Sequence, residues 1–136
     1  MARVEVRFGD STQLADLLPG PKIDTKKLEA AEGIIEIRMY KIKPGMRDRF
    51  VRFFEEKTLG PQAAVGMRIL GQFRSLMDDD TFVWIRAFAS EEERTQHTQA
   101  FYGGELWNET LGPEAMSMLE STDVVLVEPT RRSPMR

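Results

Sequence analysis

The run IIEIRMYKI (34–42) alternates apolar and polar positions with a period of two, which predicts a strand. Ile35, Ile37 and Met39 fall on one face; Glu36, Arg38 and Tyr40 fall on the other. Lys43-Pro44-Gly45 ends it, and from Met46 the spacing changes to threes and fours. Met46, Phe50, Phe53, Phe54 and Lys57 share one stripe, with Arg47, Asp48, Arg52 and Glu55 opposite, so residues 46–57 are expected as an amphipathic helix. GPQAAVG (60–66) reads as a loop or a broken helical turn. Two further strands, 67–76 and 81–89, flank MDDD (77–80), a turn whose side chains bond their own backbone, and together they predict a hairpin. Ser90 and Glu93 form an S-x-x-E capping box with Glu91 and Glu92 in the first turn, so a helix starts at 91 and runs to the stop at Gly103-Gly104. A second short helix is expected over 105–118, broken near Gly112 and Pro113, and the apolar run DVVLVEP (123–129) closes the unit as a strand.

The order is β-α-β-β-α-β, an α+β arrangement of the ferredoxin-like kind with a four-stranded antiparallel sheet. Residues 1–33 stand outside this pattern. Val4, Val6 and Phe8 alternate with Arg3, Glu5 and Arg7 and suit a short strand; LLPGPK (17–22) is a turn; the charged stretch to Gly33 is a short helix or a linker. We read 1–33 as an N-terminal extension, 34–129 as the domain and 130–136 as a flexible tail. Helices on one side of the sheet leave the other side bare, and a bare apolar and aromatic face takes a partner. The expectation is a homodimer through the sheet face, two sheets closing into a dimeric α/β barrel.

Composition narrows the chemistry. A net charge of −3 offers no footprint for nucleic acid. The absence of Cys excludes disulfides, thiol nucleophiles and thiolate metal sites, and a single His excludes a His-rich zinc site within one chain. No apolar run reaches membrane-spanning length, and the N-terminus lacks a signal-peptide core, so a cytoplasmic protein with no membrane partner is expected. No cofactor or metal is expected.

Several stretches resemble the NIPSNAP family. IIEIRMYKIKPGMRDRFVRFFEE is similar to its opening strand, with E-x-R-x-Y, then K-P-G, then an amphipathic helix. RILGQFRS, FVWIRAFASEEER, AFYGGELW and DVVLVEP resemble the later strands and helix, so the resemblance covers about residues 34–129. It implies a dimeric α/β barrel related to a superfamily of cofactor-free monooxygenases, haem-processing enzymes, isomerases and proteins of unknown role. Arg86 and Phe88 stand where many members of the wider family carry Trp and Tyr.

In the third strand Val83, Ile85 and Ala87 alternate with Phe82, Trp84, Arg86 and Phe88; if the aliphatic faces meet the helices, Arg38, Tyr40, Trp84 and Arg86 line the barrel interior, and the second strand adds either Leu70, Gln72 and Arg74 or Ile69, Gly71 and Phe73. Two guanidiniums and two aromatic rings on one enclosed surface suit a small anionic organic ligand, with Arg38 and Arg86 stabilising negative charge and Tyr40 as the nearest proton donor. A cofactor-free oxygenation or an isomerisation would fit; whether the chain is an enzyme stays open. The alternative is a non-catalytic dimeric module with a filled barrel, in which both arginines form an ion-pair network with Glu36 across the dimer. Tyr102 and Trp107, around two glycines, are further ligand candidates as aromatic walls of a lid, or else plugs at a helix stop. His97 is expected as a half-buried helix residue outside the sheet, which weakens a haem role. Met116 and Met118 are expected as core filler.

Overall fold

The computed structural model describes residues 2–7, 18–21, 23–28 and 33–135. Its strands are β1 (Ala2–Arg7), β2 (Ile34–Ile42), β3 (Arg68–Arg74), β4 (Thr81–Phe88) and β5 (Leu119–Val127), in the sheet order β1-β5-β2-β4-β3. Every pairing is antiparallel. Without β1 this is the ferredoxin-like order anticipated from the alternation of strands and helices. The extension is part of the sheet: β1 pairs along β5 from Ala2–Leu126 to Arg7–Ser121. Phe8, expected in that strand, lies outside the described residues.

The first helix is longer than its apolar stripe suggested. Helix α1 (Arg47–Phe53) passes through a π-helical turn, Phe54–Thr58, directly into α2 (Leu59–Ala64). The expected loop at 60–66 is therefore mostly helix, ended by Gly66 at φ +97°. After α3 (Glu91–Tyr102), a second π-helical turn, Trp107–Leu111, leads into α4 (Gly112–Met118). Both π turns stand at the same four residues, Thr58-Leu59-Gly60-Pro61 and Thr110-Leu111-Gly112-Pro113. Proline cannot continue an α-helical ladder, and the widened turn before it absorbs the missing donor without breaking the helix. Ser90 caps the helix as read, with the Glu93 amide donating to its Oγ at 3.1 Å, while the Glu93 carboxylate accepts from the Ala89 amide, one residue before the cap, at 3.0 Å. Asp78 organises the β3–β4 turn by accepting from the Asp80 and Thr81 amides, bonds that hold its carboxyl below the usual carboxylate range.

One expectation is inverted. All four helices lie on the face that carries Glu36, Arg38, Tyr40, Phe82, Trp84, Arg86 and Phe88, and these side chains are buried. The aliphatic face, with Ile37, Met39, Val83, Ile85 and Val125, is the open one, and its residues are only partly covered. Arg38, Tyr40, Trp84 and Arg86 thus line no space between two sheets; they sit under the helices of their own chain. The physical reason is volume and charge. Space between a sheet and helices takes large side chains, and the guanidiniums enter it because Glu36 enters with them. The β3 ambiguity also has a cause, a bulge between Ile69 and Gly71. Ile69, Gln72 and Arg74 pair with Arg86, Trp84 and Phe82 of the helix-side row, a set that no strict alternation gives.

Among the described residues, no helix is long and apolar enough to cross a membrane. The core centres on Phe50, whose ring meets Tyr40, Phe53, Phe54 and Phe82 at centroid distances of 5.3–6.5 Å. Phe50→Ala is expected to cost about 3–5 kcal/mol in urea unfolding, the range for emptying a buried phenylalanine site. A loss under ~1 kcal/mol would contradict this packing.

Candidate functional site

The register of β2 against β4 sets Glu36 opposite Arg86 and Arg38 opposite Trp84. Alternation along β2 then brings Glu36, Arg38 and Tyr40 onto one face. The Glu36 carboxylate accepts from three guanidiniums. Oε1 takes Arg38 Nε at 2.8 Å and Arg86 Nε at 2.5 Å, and Oε2 takes Arg94 Nε at 2.6 Å. Glu36, Arg38 and Arg86 are each 0 % exposed. Burial by itself would raise the Glu36 carboxyl pKa. The charges of Arg38, Arg86 and Arg94 overturn that and hold it well below the usual carboxylate range. Burial likewise disfavours the charged Arg38, and the Glu36 carboxylate more than reverses it.

The remaining donors show what each arginine is free to do. Arg94 is fully committed: Nη1 donates to Glu91 at 3.0 Å, and Nη2 donates to the Pro21 carbonyl at 2.7 Å. Arg38 turns its outer edge to the extension, donating from Nη1 to the Leu18 carbonyl and from Nη2 to the Pro19 carbonyl at 3.0 Å. Arg86 Nη1 donates to Gln62 Oε1 and to the Tyr102 hydroxyl, both at 3.0 Å. Among the described residues, Arg86 Nη2 has no acceptor, and neither does Trp84 Nε1. The Trp84 ring packs against both cations, with guanidinium carbons 5.4 Å (Arg38) and 5.0 Å (Arg86) from its centroid.

Beside this cluster is an aromatic pocket between sheet and helices. Leu18, Tyr40, Phe54, Trp84, Phe101, Tyr102 and Trp107 are among its walls. Its free space is about 20 Å³, on the order of one water molecule. Outside it lies an open cleft of about 380 Å³, lined by Pro19, Thr98, Gln99, Tyr102, Gly103, Trp107 and Asn108. Tyr102 and Trp107 line both spaces and meet edge to face at 4.8 Å. Burial raises the Tyr40 hydroxyl pKa, opposed by Arg38, so Tyr40 is a neutral donor or acceptor.

Tyr40, Trp84, Tyr102 and Trp107 line one chamber, on the opposite side of the sheet from the one anticipated, and Arg38 and Arg86 sit against it, bonded to the Tyr40 and Tyr102 hydroxyls. The Arg–Glu network lies within one chain rather than across a dimer. Sequence reasoning missed Arg94, Gln62, Phe54, Phe101 and Leu18. Arg94 had a signal, since it shares a face with Phe101, seven residues on, in a helix that is otherwise charged. Leu18 had none. His97 is half-buried on α3, as expected, with its ring 6.1 Å from that of Phe88.

The NIPSNAP family profile matches residues 35–134. The chain belongs to the NIPSNAP family. Solved NIPSNAP structures share its fold. One from Agrobacterium tumefaciens superposes with a TM-score of 0.70 at 23% identity, covering 76% of this chain and 99% of that one. Another protein from the same organism, described as a family member of unknown function, gives 0.71 at 23% identity over 79% and 97%. A NIPSNAP-like domain protein from Burkholderia xenovorans gives 0.70 at 21% identity over 77% and 91%. No curated protein matches the chain.

Glu36 makes the site's acid sensitivity calculable in sign. Its folded-state pKa lies below the unfolded value of 4.5, so the unfolded chain takes up the proton first. The stability its charge supplies is complete above about pH 5 and is lost as the pH falls through the acid range. Glu36→Gln should cost about 3–5 kcal/mol at neutral pH and flatten the decline in melting temperature below pH 5. An unchanged acid profile in that variant would place the titration elsewhere.

Proposed function

We propose that the helix-side pocket binds a small organic molecule carrying one negative charge, with the charge on the arginine cluster and an apolar or aromatic body among the rings. One observation carries this reading. Three guanidiniums, of Arg38, Arg86 and Arg94, face two carboxylates, of Glu36 and Glu91, so one buried positive charge has no counter-ion among the described residues. An uncompensated buried charge is costly, and a bound anion removes that cost. The free Arg86 Nη2 and Trp84 Nε1 offer it unused donors.

The same geometry bears on the reaction class. Isomerisation needs a base near the substrate, and Glu36, the carboxylate of the adjoining arginine cluster, is held ionised by three arginines, which makes it a weak proton acceptor. Stabilising an anion formed on the ligand, as a cofactor-free oxygenation requires, asks only for the guanidiniums and the Tyr40 and Tyr102 hydroxyls. The competing reading, a structural module with a filled interior, is favoured by the 20 Å³ of free space.

Aromatic monocarboxylates such as phenylacetate and phenylpyruvate should raise the melting temperature, while the neutral 2-phenylethanol should not. At a hundredfold excess over Kd, the expected stabilisation is about 2.7 kcal/mol. Arg86→Met, which keeps the stem and removes the donors, should abolish the effect. A flat response across the carboxylates, matched by a salt control, would leave the filled module.

We also propose that a second copy of the chain covers the open sheet face. Ile37, Met39, Val83, Ile85 and Val125 form an aliphatic row there, continued toward the β3–β4 turn by the exposed Phe73. A flat row of this kind complements itself across a two-fold axis. The interface should exceed roughly 1,000 Å². Sedimentation at micromolar concentration should give twice 15.6 kDa, and a monomer would refute the dimer without touching the pocket.

A further inference from the structure

The Arg38 guanidinium presents its two outer nitrogens side by side, and each holds a carbonyl oxygen. Nη1 donates to Leu18 and Nη2 to Pro19, consecutive residues of the extension. Two oxygens, one on each nitrogen of the fork, are what a carboxylate delivers to arginine. The carbonyls bring that arrangement without the charge. Above them, the Leu18 side chain, 1 % exposed, fills the aromatic pocket as a ligand's apolar body would. We infer that residues Leu18–Pro21 are a built-in stand-in for the ligand, and that a monocarboxylate binds by taking their place: its carboxylate on the Arg38 fork, its body where Leu18 now sits. This rests on the anionic-pocket reading and specifies it.

Three further observations support the exchange. Leu18 lines the inner pocket and Pro19 lines the outer cleft, so moving these two residues joins a space of about 20 Å³ to one of about 380 Å³. The result lies within the usual size range of small-molecule sites, about 300–1,000 Å³. The segment is a turn, not helix or strand, and its departure breaks no ladder. Gly20 adopts φ +104°, and a Cβ there would lie 2.8 Å from Arg94 Nη2 and 2.9 Å from Arg38 Nη2. Glycine is therefore what lets the turn press onto both guanidiniums. The carboxylate that displaces it supplies the negative charge the cluster lacks.

The test uses the full chain, with phenylacetate as the probe and 2-phenylethanol as its neutral counterpart. Phenylacetate should shift the amide resonance of Gly20 with the same Kd that calorimetry reports. Weakening the closed turn should tighten binding. Gly20→Ala, strained at its positive φ and outside the pocket wall, should raise affinity about tenfold. Leu18→Ala, which empties the plugged space, should also raise affinity about tenfold. The two variants guard against one failing to fold. Phenylacetate binding that leaves Gly20 unmoved and is unchanged in both variants would overturn the exchange and leave the anionic pocket standing. No binding by wild type or either variant would overturn both.

Discussion

A carboxylate shared among three arginines governs this molecule. Glu36 lies at the centre of the sheet, and its two oxygens accept from Arg38 and Arg86 of the sheet and Arg94 of α3. The cluster ties a helix to two strands across the core, and its placement fixes which sheet face the helices cover. Removing the carboxylate would leave two fully buried cations side by side. The aromatic residues follow from it. Trp84 packs against both the Arg38 and Arg86 guanidiniums, and Tyr40 and Tyr102 accept from them at their hydroxyls. An ion pair inside an apolar core contributes little net stability over a hydrophobic replacement. A cluster with one charge to spare among the described residues, beside a cage of rings, is the feature on which the proposed anion binding rests.

The element order was readable because each element announces itself locally. Strict alternation marked β2, the S-x-x-E box marked the start of α3, and three aspartates marked the hairpin turn. The two π-helical turns were not readable from periodicity, which assumes 3.6 residues per turn. The repeated Thr-Leu-Gly-Pro run at 58–61 and 110–113 is the signal that marks them. The side of the sheet that faces the helices was misjudged for a physical reason. Polar residues on a strand ordinarily face away from the helices, but here they satisfy one another. Arg38 and Glu36 are two apart on β2, and Arg86 is the cross-strand neighbour of Glu36. A register could have revealed the ion-paired triplet; a single strand could not. Arg38, Tyr40, Trp84 and Arg86 stay together because parity keeps them on one face whichever way it turns.

The extension was the least readable part. Its twenty-residue separation from Arg38 hides the fact that the Leu18 carbonyl meets that guanidinium. The unit from Ile34 onward has a complete topology without it, yet the pocket does not. Leu18 closes the chamber, and the carbonyls of Leu18, Pro19 and Pro21 occupy donors that would otherwise be bare. Fold and site thus draw on different stretches of the same chain.

The central claim is that the arginine cluster receives the charge of an organic anion inside the helix-side pocket. Crystals grown with 4-bromophenylacetate test it most directly, because the anomalous signal of bromine locates the ligand independently of the protein phases. The account predicts one strong bromine peak per chain among Trp84, Phe101 and Trp107, with the carboxylate on Arg38. Bromine found only on the outer surface, with Leu18 still in the pocket at saturating ligand, would contradict it.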